Sequence, residues 1–306
     1  MIQFVEAKNI DPKKWDDLIF ASQGSTIFAS YDFLTLSASI WGALIADDYQ
    51  WAIPLPYRKK WGVYYIYSPP FISRLGLFSR TSLSNEEIQN AFSHIPKKFQ
   101  LVELILNRSI SIPDQAEFRS FELDLSQDYQ EIWSGYSENT KRNVKSSNKH
   151  NLVVTESVEM DEIIDLFKKN RGKNIDKIIP DSHYDTLKNL VDYAERKGNI
   201  EKWAVYNQDN NLLAGAIFLK DKNRSWFWFS GRDNARAEYK AMFYLIDQYI
   251  QKYANSPLIL DFNGSNNPNV ARFYSGFGAS PYHYPYLKKY NPLLNPFIKW
   301  YKMMKK

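Results

Sequence analysis

Cysteine is absent from this 306-residue sequence, and histidine occurs only four times. The lack of cysteine excludes thiol nucleophiles, thiolate metal sites and disulfides, and it permits a reducing compartment without requiring one. The histidines are scattered without the paired spacing of a metal site, at His94, His150, His183 and His283. We therefore predict no metal.

Long apolar runs are also lacking. No window approaches the ~20 apolar residues that a membrane helix needs, and the opening residues MIQFVEAKNI show neither the positive start nor the apolar run of a signal peptide. We expect a soluble, cytoplasmic protein. Residues 291–306 form an amphipathic basic tail, for which two interpretations stay open: packing on its own fold, or weak contact with a membrane surface.

The charge surplus is small. Lys and Arg number 39 against 34 Asp and Glu, which gives a net charge of +5. Such a surplus suits a phosphate-bearing ligand, but a surplus of this size usually reflects solvated surface residues. Aromatic residues make up 16% of the chain, which is typical of core packing or of the lining of a ligand groove. The length favours two domains of ordinary size.

The two halves of the chain show the same order of predicted elements. Each begins with a strand and two helices, continues with closely spaced strands, and then has a further helix and strand. Such a repeat indicates an internal duplication whose sequence has drifted. The predicted fold class is α/β, with domains at residues 1–125 and 126–306, each a mixed, mostly antiparallel sheet flanked by helices.

The stretch from Ser225 to Ala279 organises the second half. We predict a strand at Ser225–Phe229, a polar break at Ser230–Arg236, and a helix from about Ala237 to Tyr253. A second strand at Leu258–Phe262 then ends in a loop of turn residues. Because ligands bind at the carboxyl ends of strands in open α/β sheets, the loops after both strands are candidate binding sites.

Three motifs in this stretch occur in a characteristic order. They are Ser230-Gly231-Arg232, Asp261-Phe262-Asn263-Gly264, and the run from Arg272 to Gly278 that reads RFYSGFG. Together they resemble the GNAT acyltransferase superfamily, and specifically its doubled branch, which includes the Fem-type aminoacyl-tRNA-dependent ligases. The resemblance is clear over about Ser126–Tyr290, and it implies two GNAT-like domains in tandem.

The resemblance implies direct transfer of an acyl group from acyl-CoA to an amine, without a covalent enzyme intermediate. It also implies an acceptor such as a cell-envelope, glycan or amino-sugar precursor. The donor pyrophosphate would lie at a helix N-terminus, with Gly231, Arg232, Arg236 and Lys240 as the predicted cofactor-binding residues. For the three cations two interpretations stay open: side-chain contacts to phosphate, or ordinary surface charge. The segment Arg232–Lys240 departs from the family pattern, because it lacks the internal glycines that let backbone approach a phosphate closely.

The candidate catalytic residues are Asp261, Tyr274 and Tyr239. Asp261 ends an apolar strand, where it either faces the ligand or binds the loop that follows. Tyr274 and Tyr239 are candidate proton donors to a leaving thiolate, although aromatic residues on short helices are also common in cores. Asn263 and Ser265 are predicted to orient the acceptor or a water molecule.

A polar, basic segment joins the two halves. Lys141, Lys145 and Lys149 lie four residues apart and share one face if this segment is helical. Lys141, Arg142 and Lys145 match a basic motif of the doubled branch. They are either solvated surface charge or substrate-binding residues that border an anionic ligand.

Two alternative functions stay open. The first is a Fem-like transferase whose donor is a charged tRNA; against it, Tyr274 stands where that group usually has lysine, and no long helical arm fits the length. The second is a non-catalytic GNAT-fold binding protein that has lost the donor loop.

Overall fold

The computed structural model describes residues 1–107, 110, 116–171, 179–264 and 266–291. The chain divides into two compact units. The first combines Met1–Phe118 with the residues from His283 onward, and the second comprises Arg119–Tyr282. Both are α/β units with a mixed, mostly antiparallel sheet and accompanying helices, so the predicted fold class is confirmed.

The sheet of the first unit has the strand order β1-β2-β3-β4-β6-β13, and β5 pairs with β3. Of these pairs, β4 and β6 are parallel, and the other described pairs are antiparallel. The elements are β1 (Ile2–Glu6), α1 (Pro12–Ala21), α2 (Tyr31–Ser37), β2 (Trp41–Ala46), β3 (Trp51–Lys60), β4 (Val63–Tyr67), β5 (Phe78–Ser79), α3 (Asn85–Ser93), β6 (Phe99–Ile105) and the part of β13 (Ser280–Tyr290) that begins at His283.

Helix starts in this unit follow their local sequence. Asp11 caps α1 by accepting hydrogen bonds from the backbone N–H groups of Lys13 and Lys14, with Pro12 at the first position. Ser84 and Glu87 form the capping box of α3. Both caps involve residues within one turn of the helix start.

The sheet of the second unit has the strand order β7-β12-β11-β10-β9-β8. Here β11 and β12 are parallel, and the other described pairs are antiparallel. The elements are β7 (Ala116–Asp124, in this unit from Arg119), α4 (Tyr129–Ser134), α5 (Glu138–Ser147), β8 (Val153–Thr155), α6 (Met160–Arg171), α7 (Asp181–Arg196), β9 (Ile200–Tyr206), β10 (Leu212–Asp221), β11 (Arg224–Arg232), α8 (Ala241–Tyr253), β12 (Ile259–Asp261) and α9 (Pro268–Ser275).

The two units repeat one strand arrangement. The order β1-β2-β3-β4-β6 corresponds to β8-β9-β10-β11-β12, and in both series a helix connects the strands of the parallel pair. The last strand of each sheet comes from the other half of the sequence, because β7 pairs with β12 and β13 pairs with β6. The units therefore divide the chain at Phe118 and again at Tyr282, whereas a single division at residue 125 was expected.

Helix α8 packs an apolar face against the sheet. Leu245, Ile246, Tyr249 and Ile250 are buried, and the Tyr249 ring stacks on Phe218 with a centroid separation of 3.6 Å and an interplanar angle of 7°. These four residues recur at the spacing of one helix face. The predicted helix boundaries need two corrections.

The first correction is at the start of the helix. Residues Ala237–Tyr239 form a separate 3₁₀ turn, and Lys240 adopts a left-handed φ of 53°, so α8 begins at Ala241. The second correction is in the preceding strand. Because Ser230–Arg232 pair with β10, β11 continues through part of the predicted polar break.

None of the helices in the described part of the chain is long and apolar enough to cross a membrane.

Candidate functional site

Strands β11 and β12 lie side by side for a short distance and then separate. Their parallel pairing covers Arg224–Ile259, Ser225–Leu260 and Trp226–Asp261. Strand β11 then continues to Arg232 against β10, whereas β12 ends at Asp261. Beyond Trp226, the β12-facing edge of β11 has no strand neighbour in the described ranges. An edge of this kind offers peptide groups to an extended ligand.

A β-bulge lies at the point of separation. Ile217 pairs with Phe229 and Phe218 pairs with Phe227, so Trp228 is the extra residue on β11. A bulge bends its strand and increases the local twist, which gives a physical reason for the divergence of β11 from β12.

The separated strands open a cleft, defined here by two adjoining cavities of about 240 Å³ and 170 Å³. The cavities share Phe167, Phe227, Ser230 and Tyr274. Their other lining residues are Asn170, Trp228, Phe229, Gly231, Arg232, Asn234, Met242, Phe243, Phe262, Asn263, Gly264, Asn269, Val270 and Phe273. An aromatic cavity with a few polar groups has the character of a small-molecule site.

A second depression, of about 220 Å³, lies at the N-terminus of α8. Arg232, Arg236 and Lys240 line it, so the structure brings together the three cations that were predicted to bind the donor. The N-cap residue Lys240 makes no side-chain capping bond. The first-turn N–H groups and the positive end of the helix dipole therefore favour an anion in this depression.

The segment before α8 is held by side-chain hydrogen bonds. The Asp233 carboxylate accepts one from the Ala235 N–H at 2.9 Å and one from the Arg236 guanidinium at 2.7 Å. Asn170, at the end of α6, accepts a hydrogen bond from the Asn234 N–H at 3.0 Å. These bonds order a segment that has no glycine, and Asp233 offsets part of the Arg236 charge.

Gly231 is required by packing. A Cβ at this position would lie 2.7 Å from the Phe167 nitrogen and 2.8 Å from the Ile163 oxygen, so glycine lets the α6 backbone approach β11 closely. The residue lines the cleft as predicted. The contact that demands a glycine, however, is with α6.

Asp261 is fully buried, and four of the described residues donate hydrogen bonds to it. Ser120 Oγ donates at 3.0 Å and the Asn263 N–H at 2.9 Å to Oδ1, while the Arg224 guanidinium donates at 2.9 Å and the Tyr282 hydroxyl donates to Oδ2. The sequence left open whether this carboxylate faces the ligand or binds its own loop. Its set of partners favours the structural alternative, because two donors already engage each oxygen.

Tyr274 and Tyr239 have different surroundings. The Tyr274 ring stacks on Phe262 at 4.7 Å, and the residue lines both cavities of the cleft. Tyr239 lies 4.9 Å from the His150 ring and is not among the described residues that line the cleft. The structure therefore places Tyr274 at the site and Tyr239 away from it.

The loop after β12 turns sharply. Asn263 and Gly264 have positive φ angles of 59° and 84°, and both residues line the cleft. Asn263 therefore lies at the cleft, as a predicted substrate-binding residue should. The predicted substrate-binding Ser265 lies outside the described residues.

The predicted basic residues lie on α5. Lys141, Arg142, Lys145 and Lys149 border a separate surface depression of about 370 Å³. Lys141 contacts the Glu138 carboxylate at 3.3 Å, and Arg142 donates to the Asn139 amide oxygen at 2.9 Å. The helical face is as predicted, but none of these cations is among the described residues that line the β11–β12 cleft.

A buried carboxylate on α8 is held by tyrosines. Asp247 accepts hydrogen bonds from the Tyr129 hydroxyl at 2.9 Å, the Tyr136 hydroxyl at 3.0 Å and the Gln251 amide at 2.7 Å. Burial raises the pKa of Asp247, and these hydrogen bonds oppose the rise. Burial, followed by the charge of Asp247, raises the pKa of Tyr136. The arrangement ties α4 and the turn before α5 to α8.

In the described ranges, no group of three or more His, Cys, Asp or Glu residues is placed to hold a metal ion.

Sequence reasoning missed the contribution of α6. Phe167 and Asn170 line the cleft, and neither was among the predicted site residues. The bulge at Trp228 was also missed, because an unbroken aromatic run gives no signal of an extra residue.

Comparisons with known proteins concern one domain and the fold. Residues 136–274 match the family model described as the acetyltransferase (GNAT) domain. No curated protein matches the chain. The chain has the GNAT superfamily fold in its Fem-like form, which confirms the predicted resemblance. The domain match supports an N-acyltransferase enzyme.

Three solved structures illustrate the likeness. FemX has a TM-score of 0.65 at 12% identity, covering 99% of this chain and 100% of that chain. A conserved protein of unknown function from Bacteroides thetaiotaomicron VPI-5482 has a TM-score of 0.55 at 9% identity, covering 93% and 99%. L-PGS from Bacillus licheniformis has a TM-score of 0.52 at 10% identity, covering 94% of each chain. At these identities the likeness concerns the fold.

Proposed function

We propose that the second unit transfers an acyl group from acyl-CoA to an amine, and that the acceptor is a cell-envelope or amino-sugar precursor. The observation that carries the proposal is the separation of β11 from β12 beside the N-terminus of α8. An extended, amide-bearing donor arm can hydrogen-bond the open edge of β11, and a phosphate can lie at the helix end.

The donor phosphates fit the depression at the start of α8. Arg232, Arg236 and Lys240 supply positive charge there, and side-chain contacts replace the close backbone approach that internal glycines would allow. Because Asp233 already engages Arg236, we assign Lys240 the larger share of the phosphate contact.

The reaction needs only positioning and proton transfer. The neutral amine attacks the thioester carbonyl carbon, the C–N bond forms and the C–S bond breaks. The nitrogen loses one proton to water, and the leaving thiolate gains one. The products are an amide and free CoA, without an enzyme-bound intermediate.

Tyr274 is our candidate for the proton donor to the thiolate. Of the described residues that line the cleft, only Arg232 and Tyr274 carry titratable side chains, and an arginine does not release its proton in proteins. The tyrosine would regain its proton from water.

Tyr274→Phe tests this role. The ring contact with Phe262 remains while the hydroxyl is lost, so we expect kcat to fall by ~10²-fold with KM and melting temperature nearly unchanged. Tyr239→Phe is the matched control, because Tyr239 lies against His150 outside the cleft lining. Equal kcat in wild type and Tyr274→Phe would remove Tyr274 from the chemistry.

The proposal as a whole is tested by acetyl-CoA binding in calorimetry, and by release of free CoA with amino-sugar acceptors. Arg236→Ala together with Lys240→Ala should weaken binding by ~10-fold or more, since charge-assisted contacts are lost. Arg196→Ala, an exposed arginine in the last turn of α7, is the control. Failure of the wild type to bind any CoA thioester would overturn acyl-CoA as the donor and leave the charged-tRNA donor and the non-catalytic binding protein as alternatives.

A second candidate donor is a charged tRNA. The basic face of α5 favours it, because four cations border one depression apart from the cleft. Replacing Lys141, Arg142 and Lys145 by Glu should then abolish aminoacyl-tRNA binding in filter assays and leave acetyl-CoA binding unchanged, with strong salt dependence in the wild type. Salt-independent binding would identify these residues as ordinary surface charge.

A further inference from the structure

The hairpin between β3 and β4 carries an exposed tryptophan. Lys60 pairs with Val63, so Trp61 and Gly62 are its two loop residues. Their φ angles are 50° and 80°. A two-residue loop with both φ angles positive is the type I′ turn, which favours Asn-Gly or Gly-Gly. A bulky side chain in the left-handed region is sterically costly.

Burial does not offset that cost. The Trp61 residue is 74% exposed, whereas Trp15, Trp41, Trp203, Trp226 and Trp228 are buried. The Lys60 ammonium lies 4.6 Å from its ring, which leaves the indole at the tip of the hairpin. A largely exposed residue that conflicts with its local backbone indicates a role outside folding.

The surroundings of Trp61 are aromatic and basic. Arg58 lies 4.6 Å from the Tyr67 ring, Lys59 lies 5.1 Å from the Tyr64 ring, and Lys98, which precedes β6, lies 5.8 Å from the Tyr64 ring. Arg58 pairs with Tyr65 and therefore lies on the opposite face of the hairpin from Lys59 and Tyr64. We call Lys59, Lys60, Trp61 and Lys98 the basic hairpin surface.

One carboxylate lies close to this surface. Glu6 accepts a hydrogen bond from the Tyr57 hydroxyl at 2.7 Å, and Lys98 lies 5.7 Å from the Tyr57 ring. Among the described residues, the cations Lys59, Lys60 and Lys98 belong to this surface, and their combined charge exceeds that of Glu6. The chemistry of the basic hairpin surface is therefore complementary to an anionic surface.

We propose that the basic hairpin surface docks onto a membrane that contains anionic lipids. Tryptophan is favoured at the membrane–water interface, where its ring is apolar and its N–H remains hydrated. Lysines beside it are attracted to anionic headgroups, and their aliphatic stems lie along the apolar boundary. This role does not rest on acyl transfer, and it holds the protein at the bilayer surface without a spanning helix.

The test uses the full chain and vesicles of two compositions. Co-sedimentation with phosphatidylcholine vesicles that contain phosphatidylglycerol should show binding that falls with added salt, and pure phosphatidylcholine should bind much less. Failure of the wild type to bind the anionic vesicles at low salt would overturn the proposal.

Trp61→Asn separates docking from folding. Asparagine suits the type I′ turn, so the melting temperature should be unchanged or higher, while vesicle partitioning falls by about 5-fold or more because the interfacial indole is lost. A variant that binds vesicles as the wild type does would refute the role of Trp61.

Charge reversal tests the cations. Lys59→Glu with Lys60→Glu should reduce partitioning by ~10-fold or more. Lys8→Glu with Lys13→Glu changes two exposed lysines of the same unit and should have a much smaller effect. Equal losses of vesicle partitioning in the two double variants would show that binding depends on net charge alone, which would overturn the assignment to this surface. Preferential binding of single-stranded RNA over vesicles at matched salt would also overturn it.

Discussion

Replacing Asp261 by Asn changes a buried carboxylate whose two oxygens each have two donors. Ser120 Oγ and the Asn263 N–H donate to Oδ1, and Arg224 and Tyr282 donate to Oδ2. An amide keeps one acceptor oxygen and places an NH₂ group at the other position. One pair of donors then faces another donor, and Arg224 loses one of its two carboxylate partners, the other being Glu122.

The expected loss of stability is large. Removing one partner of a buried charge pair costs ~3–5 kcal/mol, and a buried donor left without an acceptor adds to this. For a unit of this size, ~1 kcal/mol corresponds to roughly 2–4 °C. We therefore expect Asp261→Asn to lower the melting temperature by on the order of 10 °C.

The assay combines urea unfolding with acyl-transfer rates at a temperature where the variant is folded. If Asp261 is structural, the folded variant should keep its rate within about twofold, because the proposed proton transfer does not pass through this carboxylate. Asp124→Asn is the control, since Asp124 is an exposed carboxylate on the adjacent β7, and it should cost less than ~1 kcal/mol. A rate loss of ~10²-fold with nearly unchanged stability would refute the reasoning and return Asp261 to the chemistry.

Three further predictions concern other positions. Gly231→Ala should destabilise by ~2 kcal/mol or more in urea unfolding, because its Cβ would overlap the α6 backbone; an unchanged midpoint would contradict the close packing. Lys240→Gly should keep or raise the melting temperature, since glycine accepts a φ of 53°, and should weaken acetyl-CoA binding by ~10-fold in calorimetry; unaltered affinity would exclude a phosphate contact. Burial raises the pKa of Asp247 above its ordinary value of 3.8, so the folded state binds the proton of this carboxyl group more tightly than the unfolded state does. The contribution of Asp247 to stability is therefore present at low pH and is lost as the pH rises from 3.8 through the pKa of the folded state. Unfolding free energies measured across that range should therefore lose this component in Asp247→Asn, and an identical pH profile would contradict it.

The repeated strand order leads us to propose that the two units arose by tandem duplication. Each sheet receives its last strand from the other half of the sequence. Strand β7 follows β6 along the chain but pairs with β12 in the second unit, and β13 follows β12 but pairs with β6 in the first unit. Each exchanged strand therefore comes at the end of a repeated strand series, which is consistent with such an origin.

Local sequence determined a large part of this protein. The caps at Asp11 and Ser84, the apolar stripe of α8 and the basic face of α5 depend on residues within a few positions of one another, so spacing alone predicts them. The GNAT motifs around Gly231, Asp261 and Phe277 also identified the fold, because they lie at its strand ends and turns.

Tertiary structure decided the site itself. The bulge at Trp228 and the separation of β11 from β12 depend on register between strands, which local sequence does not encode. The four donors to Asp261 come from positions between Ser120 and Tyr282, so only folding could show that this carboxylate is engaged. Tyr274 and Tyr239 are alike as isolated residues. The packing of α9 against Phe262, and of the 3₁₀ turn against His150, places one in the cleft and the other outside it.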